Sequence, residues 1–168
     1  PIILATGASN LKEVEDAVKI IKSTGNDKII LLHSVVQYPS PIEEANLKAL
    51  ETLQKKFKLN VGYSDHSPGS LIALSSVVLG AKIIEKHFTI DKNLEGPDHS
   101  FALNPEELKQ MIKCIRAADL SKGTGEKEIL NEELELRKFA TRSIQAIKNI
   151  KKGDIFEDGK NIDILRPG

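Results

Sequence analysis

The chain has 168 residues, room for one medium domain or for a domain and a fragment. Its 24 Lys+Arg balance 24 Asp+Glu, so a net charge of +0 gives no support for a nucleic-acid or anionic-membrane partner. The single cysteine, Cys114, excludes an intrachain disulfide and points to a reducing, cytoplasmic setting. The apolar stretch 71–84 is broken by serines and Gly80 and is too short to span a bilayer. No basic-then-apolar leader opens the chain, which begins at Pro1 in a strand-like run and reads as a processed or truncated piece.

In chain order, residues 1–5 form a short apolar run ending in the turn signal Thr6-Gly7. Ser9 or Asn10 can cap a helix whose apolar face is Leu11, Val14, Val18 and Ile21, closed by Gly25. Residues 28–36 are almost continuously apolar, as expected of a strand buried on both faces. The run carries His33, Ser34 and Gln37 near its end, then a Tyr38-Pro39-Ser40-Pro41 loop. A helix is expected over 43–57, with the stripe Leu47, Leu50, Leu53 and Phe57.

The stretch 60–89 organises the rest. Two apolar runs, 59–63 and 82–84, lead into Ser64-Asp65-His66 and Glu85-Lys86-His87. Between them Leu71, Leu74, Val77 and Val78 recur at helical spacing, and Gly80 stands at the stop. A strand–helix–strand crossover makes the two strands parallel and places both carboxyl ends on one side. A polar loop, 91–104, carries Gly96-Pro97-Asp98-His99. Asn104-Pro105-Glu106-Glu107 then starts a helix that buries Leu108, Met111, Ile112 and Ile115. From Leu120 the composition turns to Lys, Glu and Gly. Residues 121–136 read as a linker with one exposed helical turn at most. After Arg142 a small β-rich module is expected from 143–147, Ile155-Phe156 and 162–165, breaking off before it is complete.

Four βα units fit either an open doubly wound sheet or half of an eight-stranded barrel. The first usually has a glycine-rich phosphate loop after its first strand. Here Thr6-Gly7-Ala8-Ser9 holds one glycine. The second expects functional residues at every strand end. That pattern is present: Thr6, then His33, Gln37 and Tyr38, then Ser64, Asp65 and His66, then Glu85 and His87. The half barrel is favoured.

His66 and His87 would emerge side by side at that rim, where two imidazoles can share a metal ion. Imidazole suits first-row divalent metals, and the neighbouring Asp65 and Glu85, as further ligands or partners of ligands, shift the preference toward Mn or Mg. The bland alternative makes each histidine a structural rim residue. Ser64 and Thr6 can donate to a phosphate or carboxylate, or simply form turns. Tyr38 can stack on a sugar or pack, Asp98 can sit in an Asx turn, and His33 is expected in the barrel wall. A Ser/His/Asp hydrolase triad is unsupported: Ser64, Asp65 and His66 are too close in sequence to converge, and GxSxG is absent.

The stretches GYSDHS (62–67), IIEKHFTIDK (83–92), EGPDHSFAL (95–103) and RSIQAIKNIKKGD (142–154) resemble the sialic acid synthases, with their legionaminic, pseudaminic and spore-coat relatives. The resemblance covers nearly the whole chain. It implies a (β/α)8 TIM barrel, a linker and a small antifreeze-like (SAF) domain. Residues 1–120 would be barrel strands five to eight, 121–141 the linker, and 142–168 the opening of the SAF domain. The implied reaction condenses phosphoenolpyruvate with N-acetylmannosamine or a related 2-acetamido sugar, giving a nine-carbon 2-keto acid and phosphate.

Matched by motif, His66 and His87 are the implied ligands of Mn2+ or Mg2+, with Glu85 an acid beside the metal. Ser64 is an implied phosphoenolpyruvate contact, and Tyr38 and Asp98 sugar contacts. Thr6 stands in the strand-end motif that helps hold phosphoenolpyruvate. Arg166 matches an arginine that reaches into the partner's barrel in a domain-swapped homodimer. Two positions depart from the pattern: Ala5 stands where serine is usual, and Val36 where asparagine is usual. The family's phosphate-binding lysines and catalytic glutamate fall on earlier strands. The piece alone is therefore expected not to turn over, and to need the other barrel half or a partner chain to cover its sheet edges. The competing expectations are a non-catalytic sugar-binding or assembly module, and another metal-dependent, phosphoenolpyruvate-using aldolase-type barrel.

Overall fold

The computed structural model describes residues 1–166. Two compact units make up the chain, Pro1–Gly123 and a second beginning at Thr124. The expected Pro167-Gly168 end of the SAF opening lies outside the described residues. No described helix is long and apolar enough to cross a membrane.

The first unit alternates strand and helix. Strands β1 (Ile2–Ala5), β2 (Ile29–Ser34), β3 (Asn60–Asp65) and β4 (Ile84–Lys86) are followed by α1 (Leu11–Ser23), α2 (Lys48–Phe57), α3 (Leu71–Val78) and α4 (Pro105–Ser121). The strands pair in sequence order, β1-β2-β3-β4, and all three pairings are parallel. The sheet is curled as half of a barrel.

Strand alternation decides which side chains meet the helices. Ile29 and Leu31 of β2 and Val61 and Tyr63 of β3 face outward into a core with Val14, Val18, Leu50, Leu53 and Ile72. A smaller cluster, Ala73, Leu103 and Met111, ties α3 to α4. On the inner face Gly62 is a spacing device. A Cβ there would lie 2.4 Å from the Ile83 carbonyl oxygen and 2.6 Å from Leu32 Cδ2, so only glycine lets β3 approach β4 this closely.

Two helix starts carry reciprocal capping boxes. The Asn10 side chain accepts from the Lys12 and Glu13 amides while the Glu13 side chain bonds the Asn10 amide; Asn104 and Glu107 repeat this at α4, with Pro105 at the first position. The helix expected over 43–57 is interrupted. A 3-10 turn, Ile42–Glu44, precedes α2, and Asn46 takes φ 40°. The cause is the Ala45 carbonyl, which accepts from His33 Nε2 at 3.1 Å and from the Tyr63 hydroxyl at 3.4 Å instead of continuing the helix.

In the second unit, α5 (Glu133–Ala140) is a two-turn helix, longer than the single turn expected there. Strands β5 (Ser143–Ala146) and β6 (Ile162–Leu165) pair antiparallel. Ile155 and Phe156 are exposed and form no strand.

Candidate active site at the β3 and β4 tips

The β3–β4 ladder ends in two rungs, Ser64 opposite Glu85 and Asp65 opposite Lys86. Because side chains alternate, the two rungs point to opposite faces. On one face the Ser64 hydroxyl donates to Glu85 Oε1 at 2.6 Å. On the helix-facing side Asp65, fully buried, pairs with Lys86 at 2.9 Å. Asp65 Oδ1 also accepts from the Ser67 amide at 2.9 Å and hydroxyl at 2.7 Å, and Lys86 Nζ further donates to the Ser67 carbonyl.

His66 and His87 follow these rungs directly, with ring centroids 5.2 Å apart. His66 Nδ1 lies 2.8 Å from the Val35 carbonyl oxygen. A carbonyl only accepts, so Nδ1 carries the proton, and in the neutral ring Nε2 keeps a free lone pair. The Ser40 amide donates to the His66 carbonyl, fastening the Tyr38–Pro41 turn beside it. His87 is held differently. Its carbonyl accepts from the Leu103 amide, and the Thr89 amide donates to the Leu103 carbonyl, both at 2.9 Å. This short bridge beyond β4 closes the 91–102 loop back over the rim. Asp98 Oδ2 then sits 3.7 Å from His87 Nδ1.

Two more rings complete the cluster. Tyr38 lies 4.3 Å from His66 and 5.8 Å from His87, centroid to centroid. Phe101 lies 5.1 Å from His87 and 6.5 Å from Tyr38. Ser64, Asp65, His66, Glu85, Lys86 and His87 line a depression of about 280 Å3.

The expected site residues therefore separate into groups. Ser64, His66, Glu85 and His87 converge on one depression. Tyr38 and Asp98 reach the same histidines from two loops. Thr6 does not join them. Its hydroxyl donates to the Leu32 carbonyl at 3.0 Å, and it lines another depression, with His33, Ser34 and Asn46. Arg166 is exposed and directly follows β6 in the second unit. Asp65 is committed to Ser67 and Lys86, which makes it a framework group before it could be a ligand.

Phe101 and Lys86 were not singled out from the sequence. Lys86 could have been. It lies two residues past Ile84, a core-facing position, so a lysine there requires a buried partner. Phe101 carried no local signal, because its place depends on the return of the 91–102 loop.

Nearby titrations follow from burial. Burial lowers the His33 pKa, partly offset by bonds to the Ala45 and Asn46 backbone, so the imidazole is neutral at pH 7. Burial, with the charge of Asp65, pushes the Tyr63 hydroxyl up to about 12. Both groups belong to the wall that supports the rim.

Two imidazoles, one with its tautomer set by a backbone carbonyl, are a donor set that suits a first-row divalent cation. Among the described residues no group of three or more His, Cys, Asp or Glu is placed to hold a metal. A cation here would use two protein nitrogens and leave its other positions to small ligands.

Residues 1–127 match the profile of the NeuB family. The chain is 46% identical over 168 residues to the N,N'-diacetyllegionaminic acid synthase of Campylobacter jejuni, covering 99% of this chain and 50% of that protein. The crystal structure of the Bacillus subtilis spore coat polysaccharide biosynthesis protein spsE superposes with a TM-score of 0.69 at 41% identity, over 99% of this chain and 50% of that one. The N-acetylneuraminic acid (sialic acid) synthetase of Leptospira borgpetersenii, solved in complex with citrate, gives a TM-score of 0.73 at 39% identity, over 80% and 48% of the two chains. The chain spans about half the length of the curated relatives it matches. On the family match across its βα units, the chain belongs to the NeuB family.

Proposed function

We propose that this chain supplies the β3–β4 rim of a sialic-acid-type synthase. The reaction is condensation of phosphoenolpyruvate with the open-chain aldehyde of a 2-acetamido sugar. The enol carbon joins the aldehyde carbon, water enters at the enol-phosphate carbon, and phosphate leaves, giving a nine-carbon 2-keto acid. The relatives support this class, being named as synthases of legionaminic acid, pseudaminic acid and N-acetylneuraminate 9-phosphate. The observation that carries the reading is the meeting of His66, His87, Ser64 and Glu85 on adjacent strand tips.

Each residue has work suited to its chemistry. His66 and His87 hold a divalent cation, Mn2+ or Mg2+, which when bound supplies Lewis-acid polarisation of the aldehyde oxygen. The Val35 carbonyl keeps the His66 proton on Nδ1 and so keeps Nε2 available as a donor atom. Ser64 can turn its hydroxyl from Glu85 to an incoming phosphoenolpyruvate anion. Glu85, the acid beside the cation site, accepts that hydrogen bond until phosphoenolpyruvate enters. Asp98 accepts from sugar hydroxyls at the rim, and the half-exposed face of Tyr38 lies against the sugar. Thr6 keeps the β1 tip on β2 and influences phosphoenolpyruvate only through that strand end.

In the same reading 1–120 is the second half of a barrel, 121–141 a linker and 142–168 the start of an SAF domain. Arg166 then serves the partner's site in a domain-swapped dimer in the cytoplasm. The test is phosphate release by the intact protein from phosphoenolpyruvate with Mn2+, using N-acetylmannosamine and 2,4-diacetamido sugars as acceptors. Turnover with at least one acceptor is expected; none with any of them overturns the reading.

A further inference from the structure

We propose that Lys86 is a positioning residue that clamps His66 from both sides. Lys86 precedes His87 in the chain, and its Nζ reaches across to β3. There it donates to Asp65 Oδ2 at 2.9 Å and to the Ser67 carbonyl. Asp65 and Ser67 are the two residues flanking His66. One ammonium group therefore ties the Asp65 carboxylate before the first histidine and the Ser67 carbonyl after it to the residue next to the second.

Burial gives the clamp its stiffness. The Lys86 side chain is 3% exposed and that of Asp65 is 0% exposed, so water does not compete for either charge. The other carboxylate oxygen is held by the Ser67 amide and hydroxyl. The set fixes the peptide 65–67, and hence the direction in which the His66 Cβ leaves the chain. The Val35 carbonyl then fixes the rotation of the ring.

Stability alone does not explain the pair. An apolar residue at 86 would extend the surface already formed by Ile84, and buried ion pairs are commonly no more stabilising than apolar replacements of equal size. What the pair adds is directionality: it relates the two histidine-bearing strand tips through defined hydrogen bonds. The inference rests on His66 and His87 acting together as a ligand pair.

The test uses the intact protein carrying Asp65→Asn with Lys86→Met, which removes both charges and leaves neither unpaired. Far-ultraviolet circular dichroism and urea unfolding establish folding, nitrogen-15 imidazole shifts report the His66 tautomer without metal, and calorimetry reports Mn2+ affinity. The expected result is a folded variant whose His66 ring exchanges between tautomers, with Mn2+ binding weakened at least about tenfold. A folded variant with a single Nδ1–H tautomer and affinity within about twofold of the unmodified protein overturns the proposal. If the variant does not fold, amide exchange of the unmodified protein decides. Mn2+ should slow exchange at Ser67 by at least about fivefold, and an unchanged rate overturns the clamp. Failure of the unmodified protein to bind Mn2+, or equal binding by His66→Ala, instead overturns the ligand-pair reading itself.

Discussion

Ser64 and Glu85 face each other across the β3–β4 ladder, the serine hydroxyl donating to Glu85 Oε1 at 2.6 Å. Their rung lies on the side of the sheet opposite Asp65 and Lys86. Glu85 is exposed while Ser64 is buried, so the serine hydroxyl is the part of this pair that the fold holds in place.

Replacing Ser64 by Ala should damage function more than stability. A hydrogen bond to a charged group contributes about 1.5–3 kcal/mol, so loss of a substrate contact should lower kcat/KM by about 10- to 100-fold. The exposed Glu85 carboxylate can be satisfied by water, so the thermal midpoint should move by only about 1–2 °C. Steady-state phosphate release and a melting curve measure the two effects together.

His66→Ala and His87→Ala should each remove most Mn2+ affinity in calorimetry, because the site offers two imidazoles and no larger ligand group among the described residues. Dialysis against a chelator should abolish phosphate release, and added Mn2+ should restore it. Full activity after metal removal would contradict the proposed role of the pair.

Gly62→Ala should part β3 from β4. The added Cβ would meet the Ile83 backbone oxygen at 2.4 Å, and a backbone atom cannot swing aside. A loss of roughly 1–3 kcal/mol in urea unfolding is expected, with weaker Mn2+ binding because the histidines sit on those two strands. Wild-type stability in this variant would refute the close-approach role of Gly62.

Leu50→Ala should test the helix-facing core, since Leu50 is 0% exposed between α2 and the sheet. The expected loss is about 2–5 kcal/mol in denaturant titration. Mn2+ affinity under native conditions should change little, because Leu50 touches the wall and not the rim.

Stability should fall at both ends of the pH range for groups in the wall. His33 titrates lower when folded, so the unfolded chain takes up its proton first. Its contribution is full above about pH 6.5 and is lost as pH falls below that value. Tyr63 titrates higher when folded, at about 12 against an unperturbed 10.0. Its contribution is full below pH 10.0 and is lost as pH rises toward 12. His33→Gln should flatten the acid limb and Tyr63→Phe the alkaline limb in unfolding measured across pH.

Local features are legible in the residues alone. Apolar period and the caps at Asn10 and Asn104 placed α1 and α4, and four βα units followed from the spacing of apolar runs. The crossover between β3 and β4 made the strands parallel, and their pairing as neighbours then puts His66 and His87 at adjacent strand ends. Register and chain return emerge only once the elements pack together. A shift of one residue reverses every side chain of a strand, so only the observed pairing sets Asp65 against Lys86 and Ser64 against Glu85. The Ala45 carbonyl left the helix for His33 and Tyr63, which lie 12 and 18 positions away in the chain. Thr6 turned to Leu32 and away from the histidines, and Phe101 came back to them on a loop closed by Leu103. Periodicity records how a residue sits on its own element, whereas these contacts join elements whose separation and registry arise only when the core closes.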